Sequence, residues 1–295
     1  MMKLIPQTNI DFVKKRFMFF TISGLITLAG IISLSVKGFN MGLDFTGGTL
    51  LQVKFEKAAE IASIRQALAA AGVDAAIQTF DGKKSFTIKV KGRQDNVNEI
   101  ANKIIAALKT VEGNSFSEER REFVGPVVGR DLSRKAIFAI ILSMFGIVIY
   151  VAFRFSNPVW GTTGVIAIIH DVFVALTVLS VLGRELDLVV VAALLTIAGY
   201  SINDTIVIFD RIRETMRTHP RMPLAELINK SLNETLSRTL ITSFTVITVL
   251  TILFVFGGEV LNTFALTMLV GCLTGIYSTV AIATNLVYQW EHKGS

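Results

Sequence analysis

The sequence predicts an α-helical membrane protein: six transmembrane helices, with a small α+β domain between spans 1 and 2. Three observations carry this. The chain is 52% hydrophobic, and its mean hydropathy of +0.58 is seldom reached by a soluble chain of 295 residues. The apolar residues gather in six blocks of about 18–25 residues or more, the length that crosses ~30 Å of hydrocarbon. Between the first two blocks, residues 37–134 carry a charge every few positions and hold no run long enough to span.

Residues 1–16 form a short tail ending in Lys14-Lys15-Arg16. Phe17–Val36 follows without a charge. Its length exceeds the roughly 7–15 apolar residues of a secretory signal, and Val36-Lys37-Gly38-Phe39-Asn40 is a poor cleavage site, so an uncleaved first span is expected.

Within residues 37–134, Gly48–Phe55 is strand-like. Ala59–Ala71 places Ile61, Ile64 and Leu68 at helical spacing and stops at Gly72. Ala75–Phe80 and Ser85–Lys91 read as strands joined by the turn Asp81-Gly82-Lys83-Lys84, with Phe86, Ile88 and Val90 alternating in the second. Asp95 is suited to cap a helix running to Lys109, whose apolar face is Val97, Ile100, Ile104, Ile105 and Leu108. Arg121–Val124 is the candidate last strand. The order βαββαβ is that of a ferredoxin-like domain.

Five further spans are expected at about Lys135–Phe153, Trp160–Leu182, Leu188–Phe209, Thr239–Phe256 and Leu261–Trp290, leaving 291–295 as a tail. The last is longer than a bilayer requires and should tilt or extend. Loop charge sets the orientation. Twelve lysines and arginines lie on the side of the termini, against Arg184 alone in the opposite short loops. The positive-inside rule then puts both termini in the cytoplasm and residues 37–134 on the far side. The connection 210–238 carries Leu224, Leu227, Ile228, Leu232 and Leu236 at i, i+3, i+4 spacing behind Pro223, which predicts a short amphipathic helix on the cytoplasmic face.

The charge of +6 is scattered, and much of it flanks spans, which excludes a basic nucleic-acid stripe. The single cysteine, Cys272, makes neither an intrachain disulfide nor a zinc cluster. No GxxxxGK[ST] or HExxH occurs, and Ser201 with His170 lacks a GxSxG context. Neither covalent catalysis nor a bound cofactor or metal is expected.

The informative residues are polar ones inside apolar runs. Gly199–Glu214 reads GYSINDTIVIFDRIRE and places Asn203 and Asp204 within the fourth span. A carboxylate there costs roughly 2.5–3.5 kcal/mol on insertion scales. Tyr200 and Ser201 lie on the same side of the helix as Asp204, and Thr205 widens that face. Two readings stand: a structural aspartate that fixes packing, or a protonatable site that loads and unloads. Arg238 opens the fifth span; it either reaches toward Asp204 or snorkels outward. His170-Asp171 interrupts the third span. As helical neighbours they point about 100° apart, which argues against one site, and Asp171 is a second relay or a structural acceptor. Hydroxyls on the fifth span and the pair Gly271/Gly275 on the sixth fit close helix packing.

Four stretches give the chain a family likeness: GLDFTGGTL (Gly42–Leu50), VGPVVGRDL (Val124–Leu132), GYSINDTIVIFDRIRE, and SLNETLSRTLITS (Ser231–Ser243). With them the chain resembles the SecF branch of the SecD/SecF export factors, relatives of the resistance-nodulation-division transporters. Members of the SecD branch share GLDFTGG but carry a much larger external region. The resemblance implies a bacterial inner-membrane subunit whose 37–134 domain is periplasmic and engages the emerging unfolded polypeptide. It implies a SecD partner bundle, the SecYEG channel, and the proton gradient as energy source in place of a cofactor. It matches Asp204 to the family's fourth-span aspartate and Arg238 to its fifth-span arginine on the proton path, and Gly42, Asp44, Gly47 and Gly48 to the family signature; the residue reading adds Asn203 to that path, with Asp171 and Ser201 as possible relay or structural groups. Half of a proton-coupled small-molecule exporter and a passive assembly subunit are the competing readings.

Overall fold

The computed structural model of the protein describes residues 8–80, 84–92, 97–111, 115–155 and 157–293. The turn at Asp81–Lys83 and the cap at Asp95 lie outside the described residues. The elements in order are α1 (Arg16–Lys37), α2 (Leu43–Thr46), β1 (Gly48–Phe55), α3 (Ile61–Ala70), β2 (Ala76–Phe80), β3 (Ser85–Lys91), α4 (Val97–Leu108), β4 (Phe116–Val124), α5 (Pro126–Arg154), α6 (Pro158–Val181), α7 (Leu188–Thr218), α8 (Leu224–Phe256), α9 (Gly258–Ser278), a π-helical segment (Thr279–Ala283) and α10 (Thr284–Lys293). Among the described residues, six helical stretches are long and apolar enough to cross a membrane, the last running through the π segment as Leu261–Glu291. The chain forms two compact units, Met41–Phe138 and Met1–Asn40 with Ala139–Ser295, which divide within α5.

The smaller unit is the expected βαββαβ domain. Its antiparallel sheet has the order β2-β3-β1-β4. Alternation in β1 turns Leu51, Val53 and Phe55 inward, where they meet Phe86 and Ile88 of β3, Ile64 and Leu68 of α3, and Ile104 and Leu108 of α4. β4 begins at Phe116, earlier than expected. Its FSEERREFV has no alternation because almost all of it is exposed: it is an edge strand lined with charge. The bidentate Arg121–Glu118 pair there holds the Glu118 carboxyl below its usual range, the hydrogen bonds from Arg121 being the main cause.

The signature glycines have a backbone reason. Gly47 and Gly48 adopt φ of 71° and 142°, which L side chains rarely adopt. A Cβ on Gly48 would also lie 2.2 Å from the Val90 carbonyl oxygen. The pair ends the short α2, unforeseen from sequence, and starts β1 in register with Val124 and Lys91.

In the larger unit, helix ends are set by side chains. Asn157 accepts from Val159 N ahead of Pro158, and Asp187 accepts from Val190 N to start α7. One expectation is corrected. Residues 224–236 are not a separate helix on the membrane face but the first turns of α8, and α7 runs unbroken to Thr218. No glycine or proline interrupts 224–256, so the helix has no reason to stop. The apolar stripe Leu227, Ile228 and Leu232 packs against protein, on Phe209 and Ile212 of α7, rather than on lipid.

A strap, residues 8–15, is fastened to this helical hairpin. Asn233 pairs with both the N–H and the C=O of Ile10. Asn229 accepts from Phe12 N and Val13 N and donates to Asp11 Oδ1. The Asp11 carboxyl lies below its usual range, mainly through the Lys14 backbone N–H and then the Asn229 amide. We expect Asn229→Ala to weaken docking by about 1–3 kcal/mol, read as faster amide exchange at Phe12 and Val13. Because the Asp11 pKa is depressed in the folded state, its contribution is present above the ordinary carboxylate range of about 4 and is lost as pH falls through the folded value. Protection of the strap should therefore decline on acidification, and less so in Asp11→Asn.

Candidate functional site

Helices α6, α7 and the last span are the interior of the larger unit. Between 50% and 61% of their apolar windows are buried, against 11–17% for α1, α5 and α8. Small residues let them approach. A Cβ on Gly271 would fall 2.3 Å from Ile197 Cδ1 on α7, and one on Gly275 3.5 Å from Ser201 Cβ. The Gly271/Gly275 pair is thus the seam between α9 and α7.

The polar face of α7 divides into two rows. Tyr200 and Asp204 stand i, i+4 on one, Ser201 and Thr205 i, i+4 on the next. The hydroxyls expected to surround Asp204 mostly serve other partners. Ser201 Oγ donates to Asp171 Oδ2 at 2.6 Å. Thr205 Oγ1 lies 3.0 Å from Thr279 Oγ1. Tyr200 donates to Ser243 Oγ of α8 at 3.2 Å.

Asp204 is 6% exposed, and its Oδ2 is buried with no hydrogen-bond partner among the described residues. Arg238 of α8 is the cation that acts on it electrostatically, without an ion pair within 4.0 Å among the described residues. Arg238 itself and Asn203 are exposed on the surface of the chain. Asp204 and Arg238 are therefore near each other but unpaired, and Asn203 looks outward, away from the buried carboxylate.

Asp171 is the opposite case. It is 0% exposed and accepts from Ser201, from Ser278 Oγ at 2.7 Å, and at Oδ1 from His170 Nδ1 at 3.2 Å. This corrects the sequence argument that His170 and Asp171 form no common site. The contact between His170 Nδ1 and Asp171 Oδ1 spans the 100° between neighbouring Cβ directions. Ser278 is the member that sequence reasoning missed. Its signal is that it stands three residues beyond Gly275, one turn along the seam. A π-helical segment begins at Thr279, immediately after it, a local geometry frequent at functional sites.

No group of three or more His, Cys, Asp or Glu side chains among the described residues is arranged to hold a metal. What the arrangement offers chemically is two buried carboxylates on adjacent helices, one satisfied by hydrogen bonds and one with an open oxygen.

A six-span bundle with buried carboxylates and a ferredoxin-like domain defines a polytopic membrane protein of the transport class. The comparisons with known proteins specify it. The family described as protein export membrane protein SecD/SecF, C-terminal, matches residues 103–293, and the SecD/SecF GG motif matches residues 32–59. The chain is 42% identical over 287 residues to the protein translocase subunit SecF of Calditerrivibrio nitroreducens, covering 95% of this chain and 94% of that one. It is 39% identical over 288 residues to the same subunit of Escherichia coli O157:H7, covering 96% and 88%. The crystal structure of SecDF, a translocon-associated membrane protein from Thermus thermophilus, aligns with a TM-score of 0.86 at 34% identity. That alignment covers 97% of this chain and 39% of the solved one. A super-membrane-facing form of SecDF aligns at 0.73, with 34% identity, 100% of this chain and 40% of that one. The chain belongs to the SecD/SecF family, on its SecF side, and spans about two fifths of the SecDF chains it matches.

The seam is testable. Replacing Gly271 with Leu overfills the contact with Ile197; we expect about 1–3 kcal/mol of destabilisation and a lower unfolding midpoint in detergent, with little effect from the same change at exposed Gly199.

Proposed function

We propose that this chain is the SecF-type half of a SecD–SecF export factor that uses the proton-motive force to promote late steps of polypeptide translocation through the SecYEG channel. The observation that carries the reading is Asp204: a buried carboxylate with an open oxygen, on a membrane-spanning helix, within the field of Arg238. A carboxylate kept only for packing would gain by hydrogen-bonding, as Asp171 does. An open one can load and release a proton, and a cation that is near but unpaired can favour the ionised form in one conformation and release it in another.

The partner follows from exposure. Asn203 and Arg238, with Thr242, Thr245 and Thr248 of α8, are exposed on helices that cross the membrane. Lipid is a poor neighbour for that polar strip, and a second six-span bundle of the SecD type is a good one. In this reading the termini are cytoplasmic, the βαββαβ domain is periplasmic in the bacterial inner membrane, and that domain engages the translocating chain. No covalent chemistry is involved, and the proton gradient takes the place of a cofactor.

Proteoliposomes containing the SecYEG channel and the SecD-type partner test this. We expect Asp204→Asn to abolish the part of translocation that depends on the proton gradient, and Arg238→Met to reduce it several-fold, while both variants assemble with the partner. Unchanged gradient dependence in Asp204→Asn would remove the proton role; lost assembly would favour a purely structural one. Separately, a cysteine at Lys103 in a Cys272→Ser background should react with an impermeant reagent from outside intact spheroplasts. Labelling only after permeabilisation would reverse the orientation.

A further inference from the structure

The proton-coupled reading uses Asp204 and leaves Asp171 unused. Three donors converge on Asp171, two serine hydroxyls and the His170 imidazole, which together satisfy an ionised carboxylate. Among the described residues no lysine or arginine bonds to it. The compensating charge available to it is therefore a proton on His170.

The histidine is built for that role. Its side chain is 9% exposed, and its Nδ1 faces Asp171. Its other nitrogen, Nε2, is buried and has no hydrogen-bond partner among the described residues. With the hydrogen on Nδ1 directed at the carboxylate, the free lone pair is on Nε2. One proton bound there converts a pair of charge −1 into an imidazolium–carboxylate pair of charge 0; its release restores the first state. The groups packed around the pair are few. From α7 come Ser201 and Thr205, with Asp204 three residues further along. From α9 come Ser278 and Tyr277, whose ring centroid is 6.2 Å from that of His170. From α1 comes Ser23, bonded to the Tyr277 hydroxyl, and from the π segment Thr279, bonded to Thr205. The Glu291 of α10 is engaged with Asn157 and Trp160, near the start of α6. Tyr277 is thus the one other titratable side chain facing His170 among these.

We propose that His170 and Asp171 form a second proton-binding station in the bundle, separate from Asp204, with the exchanging proton on His170 Nε2. Because Ser201 of α7 and Ser278 of α9 share Asp171 Oδ2, the charge state of this pair also sets how firmly α6 holds its two neighbours. As a step on a transport path, the station rests on the proton-coupled reading; as a binding site, it does not.

The test is nitrogen NMR of the full chain with its SecD-type partner in lipid bilayers. His219→Gln and His292→Gln leave His170 as the sole histidine. On acidification we expect the Nε2 resonance to convert from bare to protonated while Nδ1 stays protonated. Asp171→Asn should abolish or displace the conversion, and Asp204→Asn should leave it in place. An Nε2 signal that does not change with pH, or a conversion unaffected by Asp171→Asn, overturns the station. Function is read with His170→Gln, which should reduce gradient-dependent translocation several-fold with assembly intact; unchanged translocation overturns its place on the path. If His170 titrates as expected while Asp204→Asn leaves translocation unchanged, the proton-coupled reading fails and the binding site stands.

Discussion

A polar group at membrane depth must find its partner inside the protein, and that constraint organises the larger unit. Asp171 is met by Ser201 and Ser278 from two different helices, which fixes α6, α7 and α9 against one another at a single oxygen. At this contact Gly275 of α9 lies against Ser201, where an added Cβ would sit 3.5 Å from the Ser201 Cβ. Gly271, one turn away, is the tighter point, since a Cβ there would overlap the Ile197 side chain at 2.3 Å. Close approach and polar satisfaction are thus one feature of the seam. Lipid tails give apolar helices no reason to prefer each other, so such features decide which helices become interior.

The remaining helices show what the bundle lacks. α1, α5 and α8 bury little of themselves within the chain. For α5 this is unremarkable, since its outward residues, among them Ile141, Leu142, Phe145 and Phe153, are apolar and suit lipid. For α8 it is not, because its outward residues include Arg238 and a row of threonines. Those threonines return their hydroxyls to their own helix backbone, which lowers the cost of facing lipid. Arg238 is exposed and has no ion pair among the described residues. A surface that mixes self-satisfied hydroxyls with one guanidinium suits contact with another protein better than permanent exposure to hydrocarbon.

Much of this was legible in the sequence. Composition and run length yield six spans, and alternation and turn chemistry yield the βαββαβ order, because both depend on local periodicity. β4 was half hidden, since an edge strand lined with Glu118–Glu122 has no buried face to create alternation. The apolar spacing of 224–236 marks a helix but not its continuity with the fifth span, for which the absence of any glycine or proline as far as Phe256 is the better guide. Asp204 announced itself as a carboxylate in an apolar run. Its surroundings did not: that Ser201 and Thr205 turn away from it depends on where α6 and α9 lie, and a helical wheel of α7 alone cannot contain that. The His170–Asp171 contact was argued away from Cβ directions, which ignore the reach and bend of a side chain.

The two carboxylates differ because of one helix between them. Ser278 and Thr279 are consecutive, so their side chains diverge by about 100°. Yet Ser278 bonds to Asp171 on α6, and Thr279 contacts Thr205 on α7. Both bonds can form at once only if α6 and α7 flank the last span on adjacent sides, so that neighbouring residues each find a different helix. The Ser201–Thr205 row of α7 faces this corner and is fully satisfied there. The Tyr200–Asp204 row, rotated by one residue, faces α8, where Ser243 takes the Tyr200 hydroxyl and no hydroxyl among the described residues reaches Asp204 Oδ2. A single-residue rotation along α7 therefore separates a carboxylate locked by donors from one left open. The same rotation means that a turn of α7 about its own axis would disturb both rows together.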